Sequence, residues 1–551
     1  MIALVKKRAH RFVMRTPSLQ WAKMMLEFVR TIRPQLRRQL TFPARQPIGA
    51  TGPRRPRVLM PQIETNHYQF FQMLVLGKAL QLRGADVKVL LCGSRLAGCE
   101  IKNVNNRDWK DPCVTCRFND RNVTAMYGLD TVRLTDLVSD EIVSAIEKVA
   151  TSLSTNYPSR YLYKGINIIP IVNDSVIRFY YGAVPTDPAM LAPVRRQHLI
   201  TAMISLDAAE RLNGTFAPEV ILNNMFVYSM AEPYFRYFAN VEGVRQATVS
   251  ITPVDYNSVI LNIMEHFRSS ERFRRYVRSR NGAPLTPTES TALRTRLEAR
   301  MAGRIRMFKD LGYFKEVSGI KDVLKIDDKR RNIFLFSNIY WDLATGETGQ
   351  FGDILTWIFD TIEILKDRPD VHLYIKAHPG EKYDSAPSAK GVADFIHEKF
   401  PVFPEHVTLI LPEMRIKPYD LFPWIDLGLV YSGTLGLEML LSGIPVAIAG
   451  KAPFSGLGFA HEPASLNEYA KVLLGETPPL TPNKEELQLF GYYYLIKNFV
   501  PWNLTKQAYG DVFDGYTFNS LADLMPGKNP QLDHICNCIL DPDNTVIEQW
   551  Q

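Results

Sequence analysis

Short hydrophobic runs alternate with segments of helical periodicity along the first half of the chain. An apolar strand at 58–60 is followed by a helical pattern at 68–82, and a second apolar strand follows at 87–92. This spacing is typical of a βαβ unit with parallel strands. Similar but weaker alternation recurs at 220–225, 232–238 and 247–251. The pattern predicts a first α/β domain over 57–264.

The same alternation is clearer in the second half of the chain. An amphipathic helix is predicted at 351–366, and apolar strands are predicted at 332–336, 371–377, 407–411, 427–431 and 445–449. These elements predict a second α/β domain over 329–475. Two doubly wound Rossmann-type sheets of this kind would face each other across a cleft, and ligands of such sheets bind beyond the carboxyl ends of the strands.

Two further segments complete the predicted organisation. The connection at 265–328 is rich in arginine with helical spacing, which predicts a helical linker with a solvated basic face; binding of an anionic acceptor is the alternative. The tail at 476–551 contains a helical pattern at 484–499 and then a Pro- and aromatic-rich end. The tail is predicted to be helical, and its role does not follow from the pattern.

The N-terminal arm at 1–56 differs from the rest in charge. Residues 1–50 carry eleven Lys and Arg against one Glu, a net charge of +10, while the whole chain carries +8. The arm also holds apolar residues at helical spacing, namely Trp21, Met25, Phe28 and Ile32. A basic helix with one apolar stripe is suited to an anionic membrane surface; the alternative is that the stripe packs on the protein's own core. Because the basic charge is confined to the arm and the linker, a nucleic-acid partner is not expected.

Composition and cysteine usage limit the protein class. A chain of 551 residues with 46% hydrophobic residues is too long for one ordinary domain and can bury large cores. No apolar run reaches bilayer length, and the five apolar residues that open the chain are too few for a signal-peptide core. Six cysteines are too few for a disulfide scaffold of this length. We expect a cytoplasmic protein that is peripheral on the inner face of the membrane.

Four of the six cysteines are clustered in sequence. They are Cys92, Cys99, Cys113 and Cys116. The CVTC pair fits tetrahedral thiolate ligation, although the gap between the first two cysteines is wider than usual. The cluster raises the hypothesis of a structural zinc, with an iron–sulfur cluster or unligated thiols as alternatives.

Candidate chemistry follows one predicted strand of the second domain. His378, Pro379 and Glu381 come directly after the strand at 371–377, at its carboxyl end. Pro379 fixes the backbone there, Gly380 allows close approach, and His378 can hydrogen-bond a phosphate or ribose near neutral pH. An ordinary turn is the alternative interpretation.

A second candidate site follows the strand at 427–431. Ser432, Gly433 and Thr434 lie at a predicted helix start, where free backbone N–H groups favour a phosphate. Glu438 lies one turn further on the same helix face and could accept hydrogen bonds from ribose hydroxyls. An ordinary helix capped by Ser432 or Thr434 is the alternative.

These residues carry a resemblance to a known family. The segments NIYWD (338–342), YIKAHPGE (374–381), YSGTLGLEMLLSGIPV (431–446) and AGKAPFSGLGF (449–459) together resemble the capsule polysaccharide biosynthesis family of GT-B glycosyltransferases. That group includes Kdo transferases that use CMP-sugars, and it is similar in outline to bacterial sialyltransferases with a His-Pro motif. The resemblance implies a GT-B-like fold, with His378 and Pro379 holding the nucleotide and Ser432 with Thr434 holding its phosphate. It also implies catalysis without a metal or other cofactor.

If the donor nucleotide lies on the second sheet, the general base and the acceptor contacts should come from the first. The loop after the first strand contains Glu64 and His67, and either could remove the acceptor hydroxyl proton or could instead cap the following helix. Asp174 and Glu232 are weaker candidates for acceptor binding.

The sequence therefore predicts a glycosyltransferase. It would move a sugar from a CMP- or UDP-type donor to a surface or capsular glycan, or to its lipid-linked primer, at the inner membrane face. A non-hydrolysing nucleotide-sugar 2-epimerase and a non-catalytic GT-B scaffold protein are the alternatives.

Overall fold

The computed structural model describes residues 22, 56–65, 68–99, 102–104, 113–252, 255–263, 271–303, 317–342, 351–383, 387–497, 499–508 and 512–541. The predicted arm, apart from residues 22 and 56, lies outside these ranges, and so does His67. The domain boundaries given above stay predictions.

Sixteen strands are present in the described part of the chain. They are β1 (Arg57–Gln62), β2 (Asp86–Leu91), β3 (Asp130–Arg133), β4 (Leu162–Tyr163), β5 (Ile166–Asn167), β6 (Val220–Asn223), β7 (Arg245–Thr252), β8 (Asp255–Ile263), β9 (Arg331–Phe336), β10 (Val371–Lys376), β11 (Val407–Ile410), β12 (Leu427–Val430), β13 (Val446–Ile448), β14 (Phe499–Pro501), β15 (Thr505–Ala508) and β16 (Val512–Tyr516).

Eighteen α-helices accompany them in the same ranges. They are α1 (Tyr68–Leu82), α2 (Val114–Phe118), α3 (Thr124–Met126), α4 (Leu134–Leu137), α5 (Asp140–Thr155), α6 (Ile169–Phe179), α7 (Pro188–Thr215), α8 (Tyr228–Ala239), α9 (Glu271–Ser279), α10 (Pro287–Met301), α11 (Ile320–Val323), α12 (Ile354–Leu365), α13 (Gly380–Tyr383), α14 (Val392–Lys399), α15 (Leu435–Leu441), α16 (Leu466–Leu474), α17 (Lys484–Tyr492) and α18 (Pro530–Leu540).

The first sheet has seven strands in the order β14-β8-β7-β6-β1-β2-β3. Strands β3, β2, β1, β6 and β7 are parallel, whereas β8 runs antiparallel to β7 and β14 antiparallel to β8. Val58 and Met60 of β1 pack on one face of the sheet and Leu59 packs on the other. Both faces are therefore covered, which is why this strand is a continuous apolar run in the sequence.

The second sheet has five parallel strands in the order β11-β10-β9-β12-β13. Its central strand β9 has the same two-sided burial, with Phe334 and Phe336 in one core and Ile333 and Leu335 in the other. The predicted fold class is confirmed in its two doubly wound α/β sheets.

The C-terminal tail returns to the first sheet, which the sequence did not predict. Helix α17 packs in the second domain, where the rings of Phe490 and Phe273 lie 5.0 Å apart. The chain then adds β14 to the edge of the first sheet and places α18 beside α1. Arg83, just after α1, donates a hydrogen bond to the carbonyl oxygen of Leu524 at 3.0 Å. The tail thus joins the two domains instead of forming a separate unit.

The arginine-rich linker is less solvated than predicted. Arg280 pairs with Glu289 at 2.7 Å, and both side chains are mostly buried. Arg300, near the end of α10, pairs with Glu438 of the second domain. The prediction of a solvated basic face is wrong for these two arginines, because Arg280 meets a half-buried carboxylate and Arg300 a buried one, and the sequence pattern reveals neither pair.

The two domains also meet directly near the ends of α6 and β9. Arg178 pairs with Asp342, and the rings of Tyr181 and Trp341 lie 4.9 Å apart, edge to face. The backbone N–H of Ala389 donates to the carbonyl oxygen of Tyr181 at 3.1 Å. We call this contact between residues 177–182 and residues 339–342 and 387–390 the domain junction.

None of the helices in the described ranges combines the length and the apolar character needed to cross a bilayer.

Gly182 gives a test of the domain junction. Its φ is +86°, and a Cβ atom added there would lie 2.0 Å from the Tyr340 hydroxyl oxygen. Gly182→Ala should therefore strain the backbone and push Tyr340 away, lowering the free energy of unfolding by about 1 to 3 kcal/mol. Gly243→Ala is the matched control, because Gly243 has a φ of +78° with no atom within 4 Å of the added Cβ. Equal loss of stability in both variants, measured by chemical denaturation, would contradict the proposed clash.

Candidate functional site

Three loops meet at the carboxyl edge of the second sheet. They follow β9, β10 and β12. Strand β9 lies between β10 and β12, and the sheet grows along the chain first on the β10 side of β9 and then on its β12 side. Asn338 donates from Nδ2 to Ser432 Oγ at 3.2 Å, and the backbone N–H of His378 donates to Ser337 Oγ at 3.1 Å. These bonds hold the predicted donor residues His378 and Ser432 on one joined surface, at the position where open α/β sheets bind ligands.

The His378 imidazole has a defined hydrogen-bonding state. Its Nδ1 accepts a hydrogen bond from the backbone N–H of Gly380 at 3.0 Å. Burial, with a contribution from the Lys376 cation, lowers the pKa of His378 to about 4. The ring is therefore neutral at neutral pH, and with Nδ1 acting as acceptor the proton lies on Nε2. His378 is set to donate one hydrogen bond from Nε2.

The backbone at Gly380 is part of this arrangement. A Cβ atom at that position would lie 2.5 Å from Ile339 Cδ1 and 2.9 Å from His378 Nδ1. Only glycine fits this turn without moving the imidazole. Pro379, between the two residues, fixes φ of the same turn.

Glu381, predicted to bind the donor, is buried next to the turn. It is 7% exposed, and its Oε2 accepts the backbone N–H of Val392 at 3.1 Å. Burial raises the pKa of Glu381 to about 7, although Lys376 acts in the opposite direction. Burial likewise lowers the pKa of Lys376 to about 7. In the structure, Glu381 contacts the start of α14 through this hydrogen bond.

Ser432, Gly433 and Thr434 connect β12 to the short helix α15. Thr434 occupies the N-cap position, but its side chain makes no capping hydrogen bond. The ordinary capped-helix alternative is thus not what the structure shows for Thr434. All three residues are partly exposed, so their polar groups are accessible at the surface formed by the joined loops.

Glu438, predicted to accept from ribose hydroxyls, has other partners. One carboxylate oxygen accepts from Arg300 Nε at 2.6 Å, and the other accepts from the Tyr419 hydroxyl at 2.7 Å. The Glu438 side chain is 2% exposed. Its role in the structure is to hold Arg300, whose Nη2 lies 3.5 Å from Thr434 Oγ1.

Arg300 is the site residue that sequence reasoning missed. It comes from the linker helix α10, yet its guanidinium lies beside the loop after β12. The arginine-rich pattern was visible in the sequence. Nothing in that pattern distinguishes this arginine from its neighbours, because its partner Glu438 is 138 residues away.

The first sheet has a cleft at the corresponding edge. Residues after β1 and β6 line it, including Glu64, Asn224 and Met225. Gln62 donates to Asn224 Oδ1 at 3.3 Å, which ties the two strand ends together. The structure therefore places the candidate base Glu64 in a cleft at the reversal point of the first sheet.

The two predicted acceptor-binding residues lie elsewhere. Asp174 of α6 and Glu232 of α8 are each 7% exposed, and neither lines the cleft that contains Glu64. Glu232 accepts from Arg236 Nε at 2.7 Å within its own helix. The structure does not bring these two side chains to the cleft surface, and their acceptor role stays a prediction.

None of the clustered cysteines forms a disulfide within the described part of the chain. Burial raises the pKa of Cys116 to about 12, and it also raises the pKa values of Cys92 and Cys99. Among the described residues, which include all four cysteines, no group of three or more His, Cys, Asp or Glu side chains is arranged to hold a metal ion. The structural-zinc hypothesis stays a prediction.

The sequence matches no protein-family model and no curated protein. Among solved structures, the chain is similar to the KpsC β-Kdo 2,4 transferase of Thermosulfurimonas dismutans, with 15% identity, a TM-score of 0.35, and coverage of 56% of this chain and 87% of that one. It is similar to the UDP-GlcNAc 2-epimerase of Neisseria meningitidis, with 11% identity, a TM-score of 0.26, and coverage of 80% and 99%. A glycosyltransferase from Rickettsia africae gives 9% identity, a TM-score of 0.26, and coverage of 81% and 95%. Similarities at this level do not decide the activity, which has to be argued from the site.

The buried Glu381 carboxyl should affect stability as the pH changes. Its pKa is about 7 in the folded chain against 4.5 for an ordinary glutamate, so its contribution to stability is complete below pH 4.5 and is lost as the pH rises to 7. Glu381→Gln cannot ionise. Relative to this variant, the parent should lose about 1 to 3 kcal/mol of unfolding free energy between pH 4.5 and 7. Exposed Glu405→Gln is the control, and urea denaturation at several pH values measures the difference. Parallel pH profiles for the parent and Glu381→Gln would be the contrary result.

Proposed function

We propose that this chain is a glycosyltransferase that binds a nucleotide-sugar donor of the CMP or UDP type at the carboxyl edge of the second sheet. The observation that carries the proposal is the hydrogen-bonded joining of the loops after β9, β10 and β12, which carry a neutral His378 and the hydroxyls of Ser432 and Thr434. The acceptor in this proposal is a surface or capsular glycan, or its lipid-linked primer.

The donor phosphate is matched by the groups around Thr434. A neutral imidazole that donates from Nε2 and two side-chain hydroxyls supply hydrogen bonds to phosphate oxygens. Arg300 adds a guanidinium next to Thr434 as a further hydrogen-bond donor, and its ion pair with Glu438 fixes that group in place. Hydrogen bonds that involve a charged partner are stronger than neutral ones, so these groups favour a phosphate over a neutral ligand.

The reaction in this proposal needs a base from the first domain. Glu64, which lines the cleft after β1, would take the proton of the acceptor hydroxyl. The acceptor oxygen then bonds to the anomeric carbon of the donor sugar, while the bond from that carbon to the phosphate oxygen breaks. The electron pair of the broken bond leaves with the nucleotide phosphate, and the groups around Thr434 stabilise that charge.

We also propose that the enzyme works at the inner face of the membrane. The support is the +10 charge of residues 1–50 together with the apolar stripe within them. Attraction of basic residues to anionic lipid, followed by burial of the stripe, would hold the enzyme next to a lipid-linked acceptor.

Nucleotide binding tests the donor site. His378→Ala and Thr434→Ala should each weaken binding of the best ligand among CMP, CDP and UDP by about 1 to 3 kcal/mol, because each removes a hydrogen bond to a charged group. Exposed His397→Ala and Thr481→Ala are matched controls outside the site. Calorimetry gives the affinities, and thermal melting checks that every variant is folded.

Three outcomes would count against this proposal. Unchanged affinity in both site variants would remove the site assignment. Interconversion of UDP-sugars without an acceptor would identify an epimerase instead. A folded protein that binds none of the three nucleotides would favour a non-catalytic scaffold.

Removal of the arm tests the membrane proposal. Protein that lacks residues 1–56 should lose association with anionic liposomes, whereas the full chain should bind them and should release them as salt rises. Salt acts because exposed charges are screened over about 8 Å at physiological ionic strength. The shortened protein should still use a soluble acceptor, since no proposed donor residue lies in the arm. Equal liposome binding by both proteins, or a much lower melting temperature without the arm, would contradict the anchoring role.

A further inference from the structure

A second, smaller cavity lies in the first domain next to the domain junction. It shares no lining residue with the cleft that contains Glu64. The polar side chains that line it include Lys102, Ser175, Arg178, Tyr181 and His198. The glycosyl transfer proposed above uses none of them.

His198 gives this cavity an unsatisfied polar atom. The side chain belongs to α7, the residue is 2% exposed, and Nε2 is buried without a hydrogen-bond partner. Nδ1 lies 2.8 Å from Ser229 Oγ, and the backbone N–H of Ser229 donates to Ser175 Oγ at 2.8 Å. The imidazole is therefore held at Nδ1, and the His198 side chain lines the cavity. Buried polar atoms are rarely left without a partner, so a ligand atom is the natural complement.

The imidazole is neutral under ordinary conditions. Burial, with a smaller contribution from Lys102, lowers the pKa of His198 to about 3. When the Ser229 hydroxyl donates to Nδ1, the ring proton lies on Nε2 and is available to a ligand oxygen. His198 then acts in this cavity as a hydrogen-bond donor without a charge of its own.

Lys102 supplies the charge. Its Nζ donates to the carbonyl oxygens of Ala97 at 2.7 Å and of Leu96 at 3.5 Å, and no carboxylate of the described residues forms an ion pair with it. Carbonyl oxygens orient an ammonium group without neutralising it. Arg178 also lines the cavity, but its charge is shared with Asp342 and its guanidinium lies 4.9 Å from the Trp341 ring. Lys102 and Arg178 therefore give the lining two cationic side chains.

Helix α7 holds the backbone at Gly98 as well as the His198 side chain. Thr201 of α7 accepts the backbone N–H of Gly98 at 2.9 Å and donates to the carbonyl oxygen of Gly98 at 2.9 Å. His198 lies one helical turn before Thr201, and Cys99, which follows Gly98, lines the cavity. A hydrogen-bond donor held on a helix beside a cationic side chain can select a ligand by its shape and charge.

We propose that this cavity binds an oxyanion, with Lys102 Nζ as the cationic partner and His198 Nε2–H as the hydrogen-bond donor. The carboxylate of an acidic sugar and a phosphate group share this chemistry. The cavity adjoins the domain junction through Arg178 and Tyr181, so a bound oxyanion would lie beside the contact between the two domains. The inference goes beyond the proposed transfer reaction and does not depend on the donor site.

Calorimetry on the full chain tests the cavity with two probes, glucuronate and inorganic phosphate, and with glucose as the neutral match to glucuronate. Lys102→Gln should weaken binding of the preferred anion about tenfold or more, because it removes the charge but keeps a polar side chain. Lys102→Arg should retain most of the affinity. Lys148→Gln, an exposed lysine of the same domain, is the matched control and should bind like the parent.

The probes that bind identify the chemical group that the cavity accepts. Glucuronate alone identifies the carboxylate of an acidic sugar, phosphate alone identifies a phosphate group, and competition between the two identifies one shared oxyanion site. Glucose binding as tightly as glucuronate would overturn the proposal. The proposal would also be overturned if neither anion bound, or if the parent and Lys102→Gln bound the preferred anion with equal affinity.

The contribution of His198 needs a measurement that does not depend on replacing a buried side chain. In protein labelled with ¹⁵N-histidine, addition of the preferred anion should shift the His198 Nε2 resonance in the parent and leave it unchanged in Lys102→Gln at the same concentration. Binding without a shift of that resonance would overturn the assignment of His198. Nucleotide affinity should be the same in the parent and in Lys102→Gln, so failure of the donor site and failure of this cavity give different results.

Discussion

In both sheets the chain begins at a central strand, winds outward to one edge, and then returns to wind outward on the other side of that strand. In the first sheet β1 is the starting strand, followed by β2 and β3 and later by β6 and β7; in the second, β9 takes the same place. The loops that leave the starting strand and its later neighbour therefore diverge, which opens a crevice at the carboxyl edge. The Glu64 cleft and the joined loops of the second sheet both lie at these two points, so the location of the candidate chemistry follows from the strand order.

Burial at the second crevice then sets the chemical state of its residues. Lys376, His378 and Glu381 are all removed from water near the end of β10, and burial is the largest effect on each pKa. It favours the uncharged form of all three groups. A neutral imidazole with its Nδ1 occupied becomes a directed hydrogen-bond donor, while a distant element brings in the guanidinium of Arg300, which is held by Glu438.

The sequence predicted those parts of the fold that depend on local pattern. The helix at 68–82 has the predicted bounds, and the buried strands were visible as apolar runs because both faces of each sheet are covered. The positions of His378, Ser432 and Thr434 at strand ends followed from the same reasoning. Pairing of β14 with β8 could not be predicted, because three residues of the tail carry no signal for a partner more than two hundred positions earlier.

The hydrogen-bond and ion-pair partners of individual side chains could not be predicted for the same reason. Glu438 has the helical spacing of a ligand-binding residue, yet Arg300 and Tyr419 occupy its oxygens. Spacing along one helix indicates which face a residue shares, but it does not reveal a cation brought in from a distant segment. Asp174 and Glu232 illustrate the same limit, since their type suggested acceptor binding and their helices bury them.

The proposed function depends on nucleotide binding at the carboxyl edge of the second sheet. Amide hydrogen exchange, measured with and without saturating CMP or UDP, tests it most directly because it locates the contact along the chain. Nucleotide bound at the proposed donor site should slow amide exchange in the loops after β9, β10 and β12, at 337–342, 377–381 and 431–436. Protection confined to the loops after β1 and β6, at 63–65 and 224–226, would place the nucleotide on the first sheet and contradict the proposed donor site.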